Sequence, residues 1–326
     1  MKTQAPITIV LPVYGRPELL PEALNSVVSQ SNPSWKLLIA DDGSDEATKT
    51  LLRQWIKNQN DSRIRWIRRP ENLGLFANLN RSMKEIDSKW TLLLCSDDKL
   101  HPEAIETLLS RCKQWPNTGL VLSSFDSINH DGSPRRPENA HHHDRVSTKT
   151  ALIHPEKFVP ALLQLGSLNG NLTGMAFSRK CWLAAGPFRE DWRHAADWEW
   201  LLRAAELGPI LLNREPIASV RTHENQLSNS NRRSGHELLE VAQVVQLLRE
   251  HPFLEGESKR GKWAAHIMQF QLWNILKSMF YGHEQDTRPL LKAIHKSAGI
   301  VPTSISLISF LRKRVKTCFK KSNYKY

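Results

Sequence analysis

Leu37-Leu38-Ile39-Ala40-Asp41-Asp42-Gly43-Ser44 reads as a buried strand that runs out into two carboxylates and a glycine turn. Apolar residues in a row, without polar alternation, mark a strand covered on both faces, as in a parallel sheet. Upstream, Ile7-Thr8-Ile9-Val10-Leu11-Pro12-Val13 has the same character. Pro17 and Glu18 follow it in the expected first turn of a helix, where a missing N–H and a negative charge are tolerated. Downstream, Ser44 reads as the N-cap of the next helix, with Asp45 and Glu46 in its first turn. Ile64-Arg65-Trp66-Ile67 gives a third strand and residues 74–86 a third helix. Thr91 to Cys95 gives a fourth strand, followed by a helix from Pro102 and a fifth strand at Leu120-Val121-Leu122. This alternation predicts an α/β fold, a mostly parallel sheet flanked by helices, with ligands at the carboxyl ends of the strands.

Periodicity is lost over residues 127–150, where only Ile128, Ala140 and Val146 are aliphatic; a loop of that length reads as a lid, a binding loop or disorder. A strand near Met175-Ala176-Phe177, a helix from Asp197 to Leu207 and a strand near Ile210-Leu211-Leu212 come next. Ser228 to Gly235 is polar and reads as mobile. From His236 the pattern is helical, with candidates at 236–250, 258–281, 286–297 and 304–320. The sequence thus divides into residues 1–230 and a mainly helical C-terminal region, 231–326.

Of the 326 residues, 40% are hydrophobic, enough for a packed core, and 24% are charged. No run approaches the roughly 20 apolar residues that span a bilayer. The N-terminus enters its first strand without a hydrophobic signal core, and the four cysteines, Cys95, Cys112, Cys181 and Cys318, are scattered without a CxxC pair. Both features point to a reducing, cytoplasmic setting and away from structural zinc or a disulfide framework. Nearly all of the net charge of +12 lies after residue 230, and no acidic residue follows Asp286. Such asymmetry implies an anionic surface nearby, either lipid headgroups or nucleic acid.

Three acidic sites fall where a parallel sheet presents a ligand: Asp41 with Asp42, Asp97 with Asp98, and Asp197 at a helix start. Paired carboxylates at a strand end suit a hard divalent cation. Helix capping and Asx turns are the competing reading of each one taken alone. Further motifs fall in order along the chain. They are Ile9-Val10-Leu11-Pro12-Val13-Tyr14 with Arg16-Pro17; Ala40-Asp41-Asp42-Gly43-Ser44; Asn72-Leu73-Gly74 with Asn80; Ser96-Asp97-Asp98; Gly186-Pro187-Phe188-Arg189-Glu190; Ala196-Asp197-Trp198; and Arg221-Thr222-His223 with Ser228. Over residues 5–228 this series resembles the inverting glycosyltransferases of family 2, which have the GT-A fold. The departures are Leu79 where an Arg is common, Ser96 at the first position of the DxD metal motif, and Ala196 in the ED-W segment.

The resemblance implies a GT-A domain over 1–230, a nucleotide-sugar donor, a glycan or glycolipid acceptor, and Mn²⁺ or Mg²⁺ as cofactor, in polysaccharide or cell-envelope assembly. By it, Asp98 holds the cation with Asp97 beside it, and His223 is a second metal ligand. Asp41 and Asp42 meet the base or ribose, Pro12 and Tyr14 line the base pocket, and Asn72 with Gly74 allows close backbone approach. Arg221 closes over the diphosphate, and Asp197 takes the acceptor's proton. Glu199 stands two residues on, about 200° around a helix, and so faces elsewhere; Glu190 is the competing base. Among Trp182, Trp192, Trp198 and Trp200, an exposed ring would suit stacking on an acceptor sugar.

Other signals carry less. Gly256 to Lys262 imitates a phosphate-binding P-loop, but Trp263 replaces the Ser or Thr and no strand precedes it. His141-His142-His143 reads as a solvated loop, lacking a spaced metal partner. In the tail, Ile305, Leu307, Ile308, Leu311 and Val315 form a stripe beside Arg312, Lys313, Arg314, Lys316, Lys320 and Lys321. That stripe suits peripheral contact of 300–326 with the inner face of an anionic membrane, packing on the body, or pairing of two copies as a homo-oligomer. Sparse aromatics near the tail speak against nucleic acid. Two alternatives to glycosyl transfer stay open at this point: a sugar-1-phosphate nucleotidyltransferase, and a non-catalytic sugar-nucleotide sensor whose basic tail binds nucleic acid.

Overall fold

The computed structural model describes residues 6–135, 143–168, 171–223, 226, 236–254, 256–281 and 286–322. They form two compact units: residues 1–158 with 167–226, and Leu227–Tyr326 with Val159–Gly166. The boundary expected at residue 230 lies outside the described residues, and the grouping of Val159–Gly166 with the C-terminal unit has no counterpart in the sequence pattern.

In the first unit the strands are β1 (Ile7–Val13), β2 (Trp35–Asp41), β3 (Ile64–Arg68), β4 (Trp90–Leu93), β5 (Lys99–Leu100), β6 (Leu120–Ser123), β7 (Asp126–Ile128), β8 (Pro134–Arg135), β9 (Ala151–Ile153), β10 (Met175–Ser178), β11 (Ile210–Asn213) and β12 (Ala218–Arg221). The helices are α1 (Leu20–Val28), α2 (Glu46–Gln59), α3 (Leu75–Met83), α4 (Ala104–Gln114), α5 (Pro155–Leu165), α6 (Arg179–Ala185) and α7 (Ala196–Ala205). The α5 helix runs from this unit into the segment grouped with the second.

The main sheet has the order β3-β2-β1-β4-β10-β6-β11-β9. β1 pairs in parallel with β2 on one side and β4 on the other, and β2 pairs in parallel with β3. β10 is antiparallel to both β4 and β6, within a sheet that is mostly parallel, as the alternation predicts. The chain winds outward from β1 through β2 to β3, then returns to place β4 on the other side. In open α/β sheets such a reversal is where a ligand crevice forms, here at the carboxyl ends of β1 and β4. Ile7, Ile9 and Leu11 pack with Leu37 and Ile39 of β2, with Leu20 and Leu24 of α1, and with Ile105 and Leu108 of α4. The intervening Val10 and Leu38 are also buried, which is why these strands are continuously apolar.

A second sheet, β5-β12-β7-β8, has no counterpart in the sequence reading. Its strands are two to four residues long and lack a readable period. Within the expected irregular stretch, His143 is fully buried and not solvated. Its Nδ1 meets Ser124 Oγ at 3.2 Å and its Nε2 meets Leu168 O at 2.8 Å. His141 and His142 lie outside the described residues.

Two helix starts differ from expectation. α1 begins at Leu20, with Pro17 and Glu18 in a preceding turn. The cap of α2 is Asp45, whose carboxylate accepts from Thr48 N at 2.9 Å. Ser44 instead accepts from the Gly15 amide at 3.1 Å and so ties the turns after β1 and β2 together.

The second unit contains α8 (His236–Glu250), α9 (Glu257–Phe280), α10 (Arg288–Ser297) and α11 (Ile300–Ser322). Val244, Leu248, Met268, Leu272, Ile294 and Leu307 are buried within it. Gln271 Nε2 donates to Glu237 Oε1 at 2.8 Å, and Ser306 Oγ donates to Gln269 Oε1 at 2.8 Å, linking α9 to α8 and to α11. No helix among the described residues is long and apolar enough to cross a membrane.

The tryptophans of the first unit go largely inside. Trp192, Trp198 and Trp200 are buried and Trp182 is half-buried. Trp182 and Trp200 stack with centroids 5.7 Å apart, and Phe188 lies 5.2 Å from Trp182 and 5.4 Å from Trp200. Trp200 Nε1 also donates to Gly186 O at 2.8 Å. Trp200→Ala is therefore expected to lower unfolding free energy by about 3–5 kcal/mol in urea titration, with Trp200→Phe losing clearly less.

Candidate active site

The crevice edge is built from the turns that follow β1, β2, β3 and β4. After β2, Asp42 accepts from the amides of Leu73 at 3.0 Å and Gly74 at 2.9 Å, one per carboxylate oxygen. Burial raises its pKa, against the lowering effect of those two amides. The segment 71–74 is thereby drawn over Gly43, where a Cβ would lie 2.7 Å from Glu71 C. Gly43 also has φ +76°, so no other residue suits it on either count. Gly74, at φ +91°, would point a Cβ into open space. Asn72 is exposed, as is Tyr14, and Pro12 is half-buried at the end of β1.

Asp41 is wholly buried at the end of β2. Its Oδ1 accepts from Ser44 N at 2.9 Å. Its Oδ2 accepts no hydrogen bond among the described residues, although Arg68 Nε stands 3.4 Å away at ion-pair distance. A buried carboxylate oxygen in that condition is suited to a ligand's donor. Close by, Arg69 Nε donates to Asn78 Oδ1 at 3.3 Å, while its buried NH2 group has no acceptor among the described residues. The sequence reading passed over Arg69, which carries no motif.

After β4 the chain makes a tight turn in which Asp98 N donates to Cys95 O at 3.2 Å. The turn gathers a Cys95 sulfur and carboxylate oxygens of Asp97 and Asp98 within 4.8 Å of one another. This oxygen and sulfur donor set fits a divalent cation. The two aspartates differ sharply. Asp98 is 1% exposed, its Oδ1 accepting from Arg221 N at 2.8 Å and its Oδ2 from Thr173 Oγ1 at 2.5 Å. Burial first, and then the charge of Asp97, raise its pKa. Asp98, expected as the cation ligand, belongs to this cluster, and each of its oxygens also accepts one hydrogen bond from the protein.

Asp97, with 13% of its side chain exposed, is the more accessible carboxylate. Its Oδ2 meets Arg16 NH1 at 3.0 Å and His223 Nε2 at 3.0 Å. Burial alone would raise its pKa; the His223 hydrogen bond and the Arg16 charge outweigh burial and hold it below the usual carboxylate range. Cys95 was read only as a strand end. Burial, together with the charges of Asp98 and Asp97, raises its thiol pKa well above the ordinary value. Ser96-Asp97 is a common turn pair, and a turn at that point was the available signal that Cys95 meets the carboxylates.

Arg221 ends β12 and is 1% exposed. Its Nε donates to Asp97 O at 2.9 Å, its NH1 to His130 O at 2.6 Å and its NH2 to Glu22 Oε2 at 2.8 Å. The guanidinium expected over a diphosphate is thus bonded to protein oxygens.

Asp197 opens α7 as its second residue and accepts from Trp198 N at 2.9 Å. Glu199 faces elsewhere, as its spacing predicts, and chelates Arg203 through two 2.8 Å bonds. Glu190 is exposed and accepts from Asn80 Nδ2 at 3.0 Å. Asn80 also exchanges two hydrogen bonds with the Phe188 backbone, at 2.8 and 2.9 Å, and so hangs the segment before Asp197 from α3. Trp198 Nε1 is buried without an acceptor among the described residues.

Residues 8–180 match the family described as Glycosyl transferase family 2. Among curated relatives, TuaG of Bacillus subtilis, a glycosyltransferase assigned to teichuronic acid biosynthesis, is 27% identical over 144 residues, 43% of this chain. The match spans 56% of TuaG's own length. An uncharacterized glycosyltransferase of Haemophilus influenzae is 23% identical over 258 residues, 78% of this chain and 80% of the relative. Among solved structures, residues 1–349 of TarS from S. aureus, in complex with UDP-GlcNAc, superpose with a TM-score of 0.66 at 13% identity, covering 90% of this chain and 81% of TarS. The mannosyltransferase PcManGT of Pyrobaculum calidifontis, in complex with GDP-Man and Mn²⁺, gives 0.58 at 13% identity, covering 94% and 88%. These superpositions establish the GT-A fold.

Gly43→Ala is expected to lower thermal stability more than Gly74→Ala. Both strain the backbone, by about 1–3 kcal/mol, but only the first collides with the 71–74 segment. Melting curves of the two variants side by side check this.

Proposed function

The chain belongs to glycosyl transferase family 2, and on that premise we propose that it transfers a sugar, with inversion at the anomeric carbon, from a nucleotide-sugar to a hydroxyl of a cell-envelope glycan or lipid-linked acceptor. The observation that carries this reading is a shared edge. The Asp41 oxygen without a hydrogen bond ends β2, and the Cys95, Asp97 and Asp98 cluster follows β4, one strand to either side of β1. That spacing suits a nucleoside at one end and a diphosphate at the other. Relatives named for wall-polymer synthesis, TuaG among them, support the acceptor class.

The residues divide the work. Asp41 Oδ2 accepts from the base or ribose, with Pro12 and Tyr14 beside it. Asp42 holds the 71–74 segment in place, and Asn72 and Gly74 present its exposed side to the donor. Asp97 is the principal cation ligand, with His223 at its side. Asp98 braces the turn, and Arg221 acts as a strut behind it. A bound divalent cation, Mn²⁺ or Mg²⁺ in the usual case, supplies Lewis-acid neutralisation of the leaving diphosphate. Asp197 accepts the acceptor's proton as the hydroxyl attacks from the side opposite the nucleotide, which inverts the centre. Asp197→Asn is expected to reduce kcat by about 10²–10⁴-fold while leaving donor affinity within a few-fold of the parent. Full activity in that variant would remove Asp197 from this role.

We assign the basic helix to a membrane surface. Thr303 and Leu307 are buried in the second unit, but Ile305 remains 63% and Ile308 49% exposed. Ile305, Ile308, Ser309, Arg312 and Lys313 line one groove of about 500 Å³. Apolar side chains interleaved with cations suit anionic headgroups, at about 1 kcal/mol per basic residue near the surface. Side chains beyond Arg314 lie outside the described residues. Full-length protein is expected to sediment with phosphatidylglycerol vesicles and not with phosphatidylcholine ones, and Ile305→Glu with Ile308→Glu is expected to abolish this. Equal binding to both vesicle types would contradict the assignment.

A further inference from the structure

Oxygen ligands suit Mg²⁺, whereas a sulfur ligand changes which cation a site favours. Cys95 brings that sulfur into the donor set beside Asp97 and Asp98. Its position is fixed by the bonds that fix the carboxylates. Cys95 N donates to Thr173 Oγ1 at 2.9 Å, the same hydroxyl that donates to Asp98 Oδ2. Cys95 O closes the turn by accepting from Asp98 N. On its other side the thiol donates to Asn171 Oδ1 at 3.5 Å. Both Asp98 oxygens accept from protein donors, and one Asp97 oxygen is shared by Arg16 and His223. The sulfur therefore stands in one hydrogen-bonded turn with both carboxylates.

Resting on the reading of this crevice as a donor and cation site, we propose that Cys95 ligates the cation through its sulfur, so that the site selects Zn²⁺ and Co²⁺, and next Mn²⁺, over Mg²⁺. Coordination forms a sulfur–metal bond as the thiol proton departs to solvent. Asp97 supplies oxygen, and His223 bonds that carboxylate at 3.0 Å from outside the three-residue cluster. Mg²⁺ keeps its water and demands oxygen, so it gains nothing from the thiol. A Cys95 that only fills space would leave cation choice indifferent to the sulfur.

The full chain, reduced and metal-free, is titrated with Co²⁺ alone and then with Co²⁺ and UDP, following thiolate-to-cobalt charge transfer in the near ultraviolet. Calorimetry with Co²⁺, Mn²⁺ and Mg²⁺ runs in parallel. The expected result is a saturable sulfur band that Cys95→Ser abolishes, with Co²⁺ affinity at least tenfold weaker in that variant and Mg²⁺ affinity unchanged. Cys95→Asp is expected to lack the band and to bind Mg²⁺ more tightly than the parent. Should Co²⁺ bind the parent without a sulfur band, and lose affinity only on Asp97→Asn, the thiol proposal falls while the cation site stands. Should no cation bind with or without UDP, both fall together.

Discussion

A buried knot between Asp98 and Arg221 holds the site's architecture. Asp98 receives the Arg221 amide and the Thr173 hydroxyl, and the Arg221 side chain reaches Asp97 O, His130 O and Glu22. One carboxylate and one guanidinium thereby join the turn after β4, the strand β12 of the small sheet, the loop after β7 and the helix α1. Removing one partner of a buried hydrogen-bonded network leaves the other groups unsatisfied, at a cost of about 1–3 kcal/mol for each. An exposed pair such as Lys36 with Asp87 contributes about 0–1 kcal/mol. The knot therefore governs where Asp97 and Cys95 stand, and the surface pairs do not.

A second brace works at the other end of the crevice. Asp42 clamps two amides of the 71–74 segment, Gly43 lets that segment pass at contact distance, and Ser44 holds Gly15. The adjacent Asp41 keeps one oxygen that accepts no hydrogen bond among the described residues and has Arg68 at ion-pair distance. In both aspartate pairs the order is the same: the second residue has both carboxylate oxygens engaged by the fold, and the first is the one we propose for ligand contact. A glycosyltransferase needs this rigidity because its donor must be held against two different groups at once, a nucleoside contact and a charge-stabilising contact.

Much of this was legible in the sequence. Continuous apolar runs located β1, β2, β4 and β6 because strands buried on both faces leave no polar alternation to misread. The ordered motifs located the acidic sites. What escaped was set by contacts distant in the chain. Ser44 looked like a cap, yet its hydroxyl serves Gly15, and Asp45 caps instead. Arg221 looked like a fork for phosphate because its partners, at residues 22, 97 and 130, are invisible from its neighbours. Cys95 was hidden by the choice of frame: reading Ser96-Asp97-Asp98 as the metal triplet left out the residue whose sulfur the turn brings alongside. The two-residue to four-residue strands of the second sheet are too short to show a period, and His143 is buried by partners at Ser124 and Leu168 that no local pattern announces.

The most direct measurement is a structure of the chain with UDP and Mn²⁺ bound. The base or ribose should hydrogen-bond Asp41 Oδ2, and the diphosphate should lie at the Cys95–Asp97 turn with the cation against Asp97. A nucleotide found elsewhere on the first unit, or one that leaves Asp41 and Asp97 untouched, would contradict the account.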